Sequence, residues 1–310
     1  MEDKSMRIKT TAIIGMGALG LLFGEQIVRA KGKDSVCFVM DSARYEKHKA
    51  DTYTINDQKM DFQLLDVKNA SPVDFIIIAT KYNGLQGALD IMEPLIGTGT
   101  VVISLLNGIS SEEMIAARYQ DIGLVHCVAI GMDAMREDTS LHYTNKGRLQ
   151  IGVVSEQQRP ALEAVQAFLE ETGIPYEEKA DILHAMWGKF LLNVGINQTC
   201  MVYDTTYEGA LTIPEARASL SKAMHEVIAI AQKEGVNLTE EDYQNYIKVL
   251  YTLNPNGYPS MRQDALAGRK SEVELFAGTV LSIAGKHQVP VPVNTWYYQR
   301  IQEMEAGYSC

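Results

Sequence analysis

Three polar side chains interrupt an otherwise apolar stretch of the chain at four-residue spacing: Lys189, Asn193 and Asn197. Four residues turn an α-helix by about 400°, so this polar stripe would project from nearly one line along about 12 Å of helix. In a buried helix each member needs a partner, because an unpaired buried ammonium group is costly. A cleft that holds a substrate carbonyl and carboxylate satisfies all three. The alternative is that the stripe is the solvated edge of an amphipathic helix.

A glycine-rich turn near the start of the chain is the second candidate site. An apolar, β-branched run ends at Ile14 and meets glycines at G-x-G-x-x-G spacing, after which a helix can begin. Gly15 lets the chain reverse, Gly17 leaves room for a pyrophosphate against the backbone, and Gly20 lets the helix pack on the strand. The helix N-terminus then directs free N–H groups at the anion. A plain strand-to-helix turn is the alternative to a dinucleotide site, whose residues would be Gly15, Met16, Gly17, Ala18, Leu19 and Gly20.

A doubly wound parallel sheet would position this turn. Apolar stretches predict strands over Ser35–Asp41, Asp74–Thr80 and Thr100–Leu106, and Asn83–Leu95 predicts the helix that connects the last two. Ligands of such sheets bind beyond the carboxyl ends of the strands. The candidate residues that fall there are Asp41, Lys81 and Asn107.

Asp41 is a candidate for binding the adenosine ribose, since it ends the second strand a little over 20 residues beyond the glycines. Its carboxylate would accept hydrogen bonds from the ribose hydroxyls and repel the 2′-phosphate of NADP, which favours NAD. Alternatively, Asp41 caps a helix that begins near Ser42. Arg44 and Lys47, close in sequence, complicate the preference for NAD. The alternatives for Lys81 and Asn107 are a solvated lysine and an ordinary Asn-Gly turn.

Strand-like patterns stop at about Ala180, so we predict an N-terminal Rossmann domain over residues 1–178 and an all-helical substrate and catalytic domain over residues 179–310. His126 lies in an apolar strand and is expected to be a satisfied core residue. The other predicted elements of the first domain are a hairpin over Tyr53–Leu65, a strand over Leu124–Ile130, an antiparallel pair of His142–Thr144 with Arg148–Val153, a helix over Pro160–Thr172 ended by Gly173, and an edge strand over Ile174–Glu178.

The second domain is predicted to contain helices throughout. A capping box formed by Ser271 and Glu274 is predicted to begin the fifth of them. The predicted helices are Ile182–Tyr203, Glu215–Glu234, Glu240–Leu253, Ser260–Ala267, Ser271–Lys286 and Val293–Glu305.

Composition places the chain among globular enzymes. At 310 residues and 46% hydrophobic content it is long enough for two domains with their own cores. The net charge of −11 argues against nucleic acid or an anionic membrane as the main partner, since both need clustered basic side chains. No apolar run is long enough to span a bilayer, and the charged segment Met1–Lys9 lacks the apolar core of a signal peptide. We therefore expect a cytoplasmic protein.

The cysteine and histidine spacing suggests neither a metal site nor a disulfide framework. The histidines show no ligand pattern, and the cysteines lie far apart without a C-x-x-C pair. The four cysteines are Cys37, Cys127, Cys200 and Cys310.

Several separated motifs, in one order, carry a family resemblance over essentially the whole chain. They are G-M-G-A-L-G at Gly15–Gly20, the strand-end Lys81, L-N-G-I at Leu106–Ile109, W-G-K-F-L-L-N-V-G-I-N at Trp187–Asn197, P-S-M-R-Q-D at Pro259–Asp264 and S-E-V-E at Ser271–Glu274. The chain resembles the ketopantoate reductases (2-dehydropantoate 2-reductases). The resemblance implies that Lys189 is the catalytic lysine and that Glu272 lines the site between it and the substrate. It also implies that the substrate is held by Asn193, Asn197 and Ser260, and that Lys81 and Asn107 lie by the cofactor, with Asn107 also a candidate for the substrate.

The residue types agree with the reaction that this resemblance implies. Hydride transfer to C2 of a 2-oxo acid puts negative charge on the carbonyl oxygen, which a Lys189 ammonium group would stabilise and protonate. Glu272 would orient that ammonium group, and the serine and asparagine side chains would hold the carboxylate. NADH or NADPH supplies the reducing power.

Two departures from the family pattern bear on the substrate and the cofactor. Members of the pantothenate pathway use NADPH and commonly carry an arginine at the end of the second strand, where this chain has Met40 and Asp41. They also tend to grip the distal hydroxyl of pantoate with asparagines at about the places of Tyr207 and Gly257. This chain lacks those amides and has tyrosines nearby. We therefore expect a pocket for an apolar side chain, lined by Tyr203, Tyr207 and Tyr258.

We therefore expect an NADH-dependent reductase of a branched or aromatic 2-oxo acid that forms the D-2-hydroxy acid, as in the D-2-hydroxy acid dehydrogenases of this family. The alternative is a true 2-dehydropantoate 2-reductase that uses NADPH. A third hypothesis is a dinucleotide-sensing or structural protein that retains the fold without turnover. The apolar helical half suggests a homodimer.

Overall fold

The computed structural model describes residues 7–308 and divides the chain into two compact units, Met1–Ile182 and Leu183–Cys310. The predicted domain boundary, after residue 178, precedes this division by four residues (182 − 178). Cys310 and most of the segment Met1–Lys9 lie outside the described residues.

Unit 1 is an α/β unit whose main sheet contains six parallel strands in the order β5-β2-β1-β6-β7-β8. The doubly wound sheet predicted from the apolar stretches is confirmed. The strands of the unit are β1 (Thr11–Ile14), β2 (Val36–Met40), β3 (Tyr53–Ile55), β4 (Gln58–Met60), β5 (Gln63–Asp66), β6 (Phe75–Ile78), β7 (Val101–Ser104), β8 (Gly123–Leu124), β9 (His126–Met132), β10 (Met135–Glu137), β11 (Ser140–His142), β12 (Lys146–Gly152) and β13 (Tyr176–Glu178). Its helices are α1 (Ala18–Lys31), α2 (Ser42–His48), α3 (Leu85–Met92), α4 (Ser111–Arg118) and α5 (Arg159–Thr172).

The central strands are apolar without alternation because both faces of the sheet are covered. Every residue of β1, β6 and β7 is buried. Ile13, Ile77 and Ile103 pack into the core on one face, whereas Ile14 and Ile78 pack into the core on the other. Because these strands pair parallel, their carboxyl ends lie at one edge of the sheet.

The predicted hairpin over Tyr53–Leu65 is confirmed in its first part only. β3 and β4 pair antiparallel, and the turn between them places Asn56 and Asp57 in the left-handed region, with φ of 47° and 65°. Such a two-residue turn matches the twist of a hairpin. The following strand β5 instead pairs parallel with β2 and forms the edge of the main sheet.

The predicted strand over Leu124–Ile130 is two strands in different sheets. β8 belongs to the main sheet, and Val125 extends its pairing by donating to Val102 O at 3.0 Å. β9 then leaves that sheet and pairs antiparallel with β12, which also pairs parallel with β13. Because the apolar run is continuous, the sequence does not show where the chain passes from one sheet to the other.

The predicted antiparallel pair of His142–Thr144 with Arg148–Val153 is wrong. β11 pairs with β10 and β3, whereas β12 pairs with β9 and β13. The connection between β11 and β12 is held by Asp133, whose Oδ1 accepts from Thr144 N at 2.9 Å and from Asn145 N at 2.7 Å. The local pattern suggested a hairpin here, but the chain instead makes a turn that is held by this carboxylate from outside the segment.

Unit 2 is helical in its described residues, as predicted. The short α7 was missed, and the predicted capping box is wrong: Ser271 donates from its N and Oγ to Glu305 Oε1, while the helix begins with a π-helical turn over Glu274–Gly278. The α-helices are α6 (Ile182–Val202, which begins at the end of unit 1), α7 (Tyr207–Thr212), α8 (Pro214–Lys233), α9 (Glu240–Thr252), α10 (Ser260–Leu266), α11 (Thr279–His287) and α12 (Pro292–Glu305).

No helix within residues 7–308 combines the length and the apolar character that crossing a membrane requires.

Candidate functional site

All the predicted cofactor residues lie at the carboxyl edge of the main sheet. Ile14 pairs with Ile78, and Ile78 with Ser104, so β1, β6 and β7 end together. Ala79 N donates to Ile14 O and Leu105 N to Ile78 O, both at 2.8 Å, which ties the loops to this edge. The structure therefore brings the glycine turn, Asp41, Lys81 and Asn107 to the same edge, as the order of the strands predicted.

The glycine turn leaves space at one of its three glycines. Gly15 has φ of 109°, and a Cβ there would lie 2.6 Å from Ala79 O; a Cβ on Gly20 would overlap the Gly15 carbonyl. A Cβ on Gly17 would have only Ala79 O, at 3.6 Å, as a neighbour within 4 Å. No side chain caps the N-terminus of α1, and its first turn carries no acidic residue. The turn fits the pyrophosphate of a dinucleotide.

Asp41 caps a helix, which is the alternative that the sequence left open. Its Oδ1 accepts from Arg44 N at 2.9 Å, and its Oδ2 lies 3.5 Å from Arg44 Nε. The side chain is 48% exposed, so its carboxylate remains accessible while it caps α2. Binding of the ribose stays a prediction, and Arg44 places a guanidinium beside the same carboxylate.

Lys81 and Asn107 lie in the loops that follow β6 and β7. Lys81 is exposed and precedes a 3₁₀ turn over Tyr82–Gly84, and Asn107 is half-buried. Gly108 has φ of 96°, and the chain bends at the Asn-Gly pair. Their roles at the cofactor stay predictions.

His126 is buried, as expected, but the expectation that its ring is satisfied is wrong. Nδ1 has no hydrogen-bond partner among the described residues, and burial lowers the pKa of the imidazole to about 4. The ring is therefore neutral at pH 7, so it offers no positive charge to an anionic ligand.

Glu112, in the first turn of α4, is a buried carboxyl group that the sequence did not single out. It is 3% exposed, accepts from Ser111 Oγ at 2.7 Å, and accepts from the backbone N–H of Cys127. Burial raises its pKa to about 7. A glutamate in a helix first turn is ordinarily solvated, so no local signal distinguishes this one.

The polar stripe lies on α6, and two glycines of the same helix set its direction. A Cβ on Gly188 would lie 2.8 Å from Tyr246 Cε2 of α9, and a Cβ on Gly195 would lie 2.6 Å from Met224 Cγ of α8. These glycines are seven residues apart and share a face. At about 100° per residue, the stripe lies roughly 100° to 180° away from that face. Close packing at the glycines therefore turns the stripe away from α8 and α9.

Asn197 joins the stripe to the predicted substrate serine. It is 4% exposed, and its Oδ1 accepts from Ser260 Oγ at 3.0 Å and from Met261 N at 3.2 Å. Its Nδ2 lies 3.5 Å from Asn193 Oδ1. The stripe is thus solvated only in part: Asn197 is buried and Lys189 and Asn193 are half-buried.

Glu272 is half-buried in the turn just before the π-helical turn. Its carbonyl accepts from Leu275 N at 3.0 Å and from Phe276 N at 3.2 Å. Phe276 packs against Phe190, the neighbour of Lys189, with ring centroids 6.4 Å apart. This contact brings the segment of Glu272 to the part of α6 that carries Lys189. Single π-helical turns often occur at functional sites.

The three tyrosines proposed for the substrate pocket have different surroundings. Tyr203 is engaged in packing: its hydroxyl lies 2.8 Å from Ser219 Oγ and its ring meets Trp296 edge-on. Tyr207 lies against Gly257, where a Cβ would be 3.1 Å from the tyrosine ring. Tyr258 is 41% exposed. The two positions that depart from the family's asparagines are therefore in contact with each other.

Comparison with known proteins agrees with this architecture. The family model described as "Ketopantoate reductase PanE/ApbA" matches residues 11–156, and the model of the ketopantoate reductase C-terminal domain matches residues 181–305. A 2-dehydropantoate 2-reductase of Streptococcus pyogenes is 25% identical over 301 residues, which are 94% of this chain and 95% of the relative.

Two solved structures share the fold of the whole chain. A complex of D-mandelate dehydrogenase with NADH has a TM-score of 0.85 at 20% identity and covers 97% of this chain and 100% of its own. A dimeric ketopantoate reductase from Staphylococcus aureus has a TM-score of 0.78 at 20% identity, with the same coverage of both chains.

The fold and the glycine turn are those of a dinucleotide-binding protein, and the family that the two models describe is one of NAD(P)-dependent oxidoreductases. The chain belongs to the ketopantoate reductase family.

Proposed function

We propose that this protein reduces a branched or aromatic 2-oxo acid to the D-2-hydroxy acid, with NADH as the favoured reductant. The observation that carries the proposal is the arrangement around Asn197, a buried amide that bonds Ser260 and adjoins Asn193 on the helix of Lys189. A partly buried polar stripe with hydroxyl and amide groups beside a lysine suits a carboxylate next to a carbonyl.

Lys189 is the group that we propose acts on the reacting oxygen. When C2 accepts a hydride, the carbonyl π electrons move to oxygen, and the Lys189 ammonium group stabilises that charge and delivers the proton that completes the hydroxyl. The bound nicotinamide cofactor supplies the hydride. Glu272 orients the ammonium group, and Asn193, Asn197 and Ser260 hold the substrate carboxylate.

The contact between Tyr207 and Gly257 supports an apolar substrate side chain. Burial raises the pKa of the Tyr207 phenol to about 12, so it is neutral at pH 7. Residue 257 has no side chain, and the tyrosine ring packs against it at the two positions where the family pattern has asparagines. An aromatic wall favours branched or aromatic substituents on the 2-oxo acid. The similarity to D-mandelate dehydrogenase, named as a complex with NADH, agrees with this substrate class and with this cofactor.

Initial rates on the purified protein test the proposal. The panel combines NADH and NADPH with ketopantoate, 2-oxoisovalerate, 2-oxoisocaproate and benzoylformate, and chiral chromatography identifies the product. We expect the highest kcat/KM with NADH and one of the last three acids. A strong preference for NADPH and ketopantoate would establish the second candidate, a true 2-dehydropantoate 2-reductase, which the Streptococcus relative favours.

A protein that binds NADH normally but reduces none of these acids would instead support a non-catalytic, dinucleotide-sensing function. We also propose a homodimer, in line with the dimeric Staphylococcus aureus neighbour, and light scattering of the purified protein tests it. A cytoplasmic location stays a prediction from the sequence.

A further inference from the structure

Arg136, on the exposed strand β10, reaches back to the glycine turn. Its Nη1 donates to the carbonyl oxygen of Met16, and its Nε donates to Asp138 O at 2.6 Å. Both acceptors are neutral main-chain carbonyls. Within residues 7–308 the guanidinium has no carboxylate partner, so its positive charge is not neutralised by an ion pair.

The core of unit 1 places this arginine. β10 pairs antiparallel with β11, whose Leu141 is fully buried in the same core as Leu21 and Leu22 of α1. Just beyond β11, the Tyr143 hydroxyl donates to Glu25 of α1 at 3.2 Å. The β10–β11 hairpin is thus anchored on the helix whose N-terminus the glycine turn begins.

The glycine turn lacks a cation of its own. The segment Gly15–Gly20 contains no basic residue, and the basic side chains at the ends of α1 are confined to its last turn. A pyrophosphate carries two negative charges, which the partial charges of helix N–H groups meet only in part. The carbonyl that Arg136 bonds belongs to the peptide joining Met16 to Gly17, the glycine with open space beside it.

We propose that Arg136 is a cofactor-binding residue whose guanidinium binds the pyrophosphate of the dinucleotide over the Met16–Gly17 peptide. The proposal rests on the proposed function, because it assumes that the glycine turn binds a dinucleotide. Its fork of donors suits paired phosphate oxygens, and two of its nitrogens are already held by main-chain carbonyls. The third, Nη2, has no hydrogen-bond partner within the described chain.

Direct binding measurements separate this role from catalysis. Dissociation constants for NADH come from cofactor fluorescence, and those for ADP-ribose and adenosine from competition with NADH. For Arg136→Met we expect ADP-ribose and NADH to bind about 10-fold to 100-fold more weakly, the usual range for losing a charge-assisted hydrogen bond. Adenosine, which has no phosphate, should bind both proteins equally. Arg136→Lys keeps the charge without the fork and should lose less than Arg136→Met.

Arg148→Met is the matched control, since it removes one exposed guanidinium from the same unit, 3.7 Å from Glu177. It should bind all three ligands as the wild type does. Unchanged ADP-ribose affinity in Arg136→Met, or an equal loss for adenosine, would overturn the inference, because the first excludes a phosphate contact and the second shows that the turn itself is disturbed. If the wild-type protein binds neither NADH nor ADP-ribose, the proposed function fails first.

Discussion

At the scale of single residues, Lys189 and Asn197 share one line of α6 but have different surroundings. Asn197 is buried and holds Ser260 and the start of α10, whereas Lys189 is half-buried. Asn197 therefore combines a structural contact with its proposed substrate role, and its replacement would disturb both. Lys189 is the cleaner probe of chemistry.

Lys189→Ala should lower kcat/KM for the preferred 2-oxo acid by about 100-fold or more, the size expected for removing a general acid. The dissociation constant for NADH should hardly change, since unit 1 carries the predicted cofactor residues. Steady-state kinetics and NADH fluorescence measure the two quantities separately. A variant that keeps wild-type activity would show that the polar stripe has no role in the reaction.

At the scale of elements, the direction of α6 depends on close packing at Gly188 and Gly195. Gly195→Ala puts a methyl group 2.6 Å from Met224 Cγ, so the Met224 side chain or α8 must shift. We expect a loss of about 1–3 kcal/mol in the free energy of unfolding, as for other overpacked cores. Because the stripe turns with the helix, kcat should also fall. Urea denaturation and steady-state rates measure these effects.

The matched control is Gly285→Ala in α11, where an added Cβ has no neighbour within 4 Å. This change should stabilise the protein by up to about 1 kcal/mol, because alanine costs less backbone entropy in a helix than glycine does. Equal effects of the two substitutions would mean that helix propensity, rather than contact with Met224, governs Gly195.

At the scale of the whole molecule, Glu112 makes the stability of the fold depend on pH. Its pKa is raised to about 7, so between pH 4.5 and 7 the unfolded chain releases a proton that the folded protein retains. Stability from this group is therefore fully present below pH 4.5 and is lost as pH rises to about 7. His126 acts in the opposite direction, since its pKa is lowered to about 4 and its contribution is lost as pH falls below 6.5.

Glu112→Gln removes one of these titrations and leaves the other. Relative to the wild type, the free energy of unfolding of the variant should rise by about 2 kcal/mol between pH 5 and pH 8. Urea denaturation of both proteins at the two pH values measures this difference, in which the contribution of His126 cancels. A pH-independent difference would show that Glu112 is ionised throughout this range in the folded protein.

The main sheet could be predicted because its information is local. Strands covered on both faces are continuously apolar, and the glycine turn places β1 before α1, so the carboxyl edge and its candidate residues follow from order along the chain. The four-residue spacing likewise placed the stripe on one helix. The pairing of β11 and β12 could not be predicted, because Asp133 holds the turn between them from outside the segment.

The sequence by itself determined the class of fold, the place of the glycine turn and the alignment of Lys189, Asn193 and Asn197, since each depends on residues close together in the chain. Only the tertiary structure decided that Asn197 is buried against Ser260, that Glu112 is a buried carboxyl group and that Arg136 bonds the Met16 carbonyl. Arg136 and Met16 are 120 residues apart, and nothing in either segment specifies the other. Burial and long-range contact are properties of packed elements, so they arise only when the elements meet.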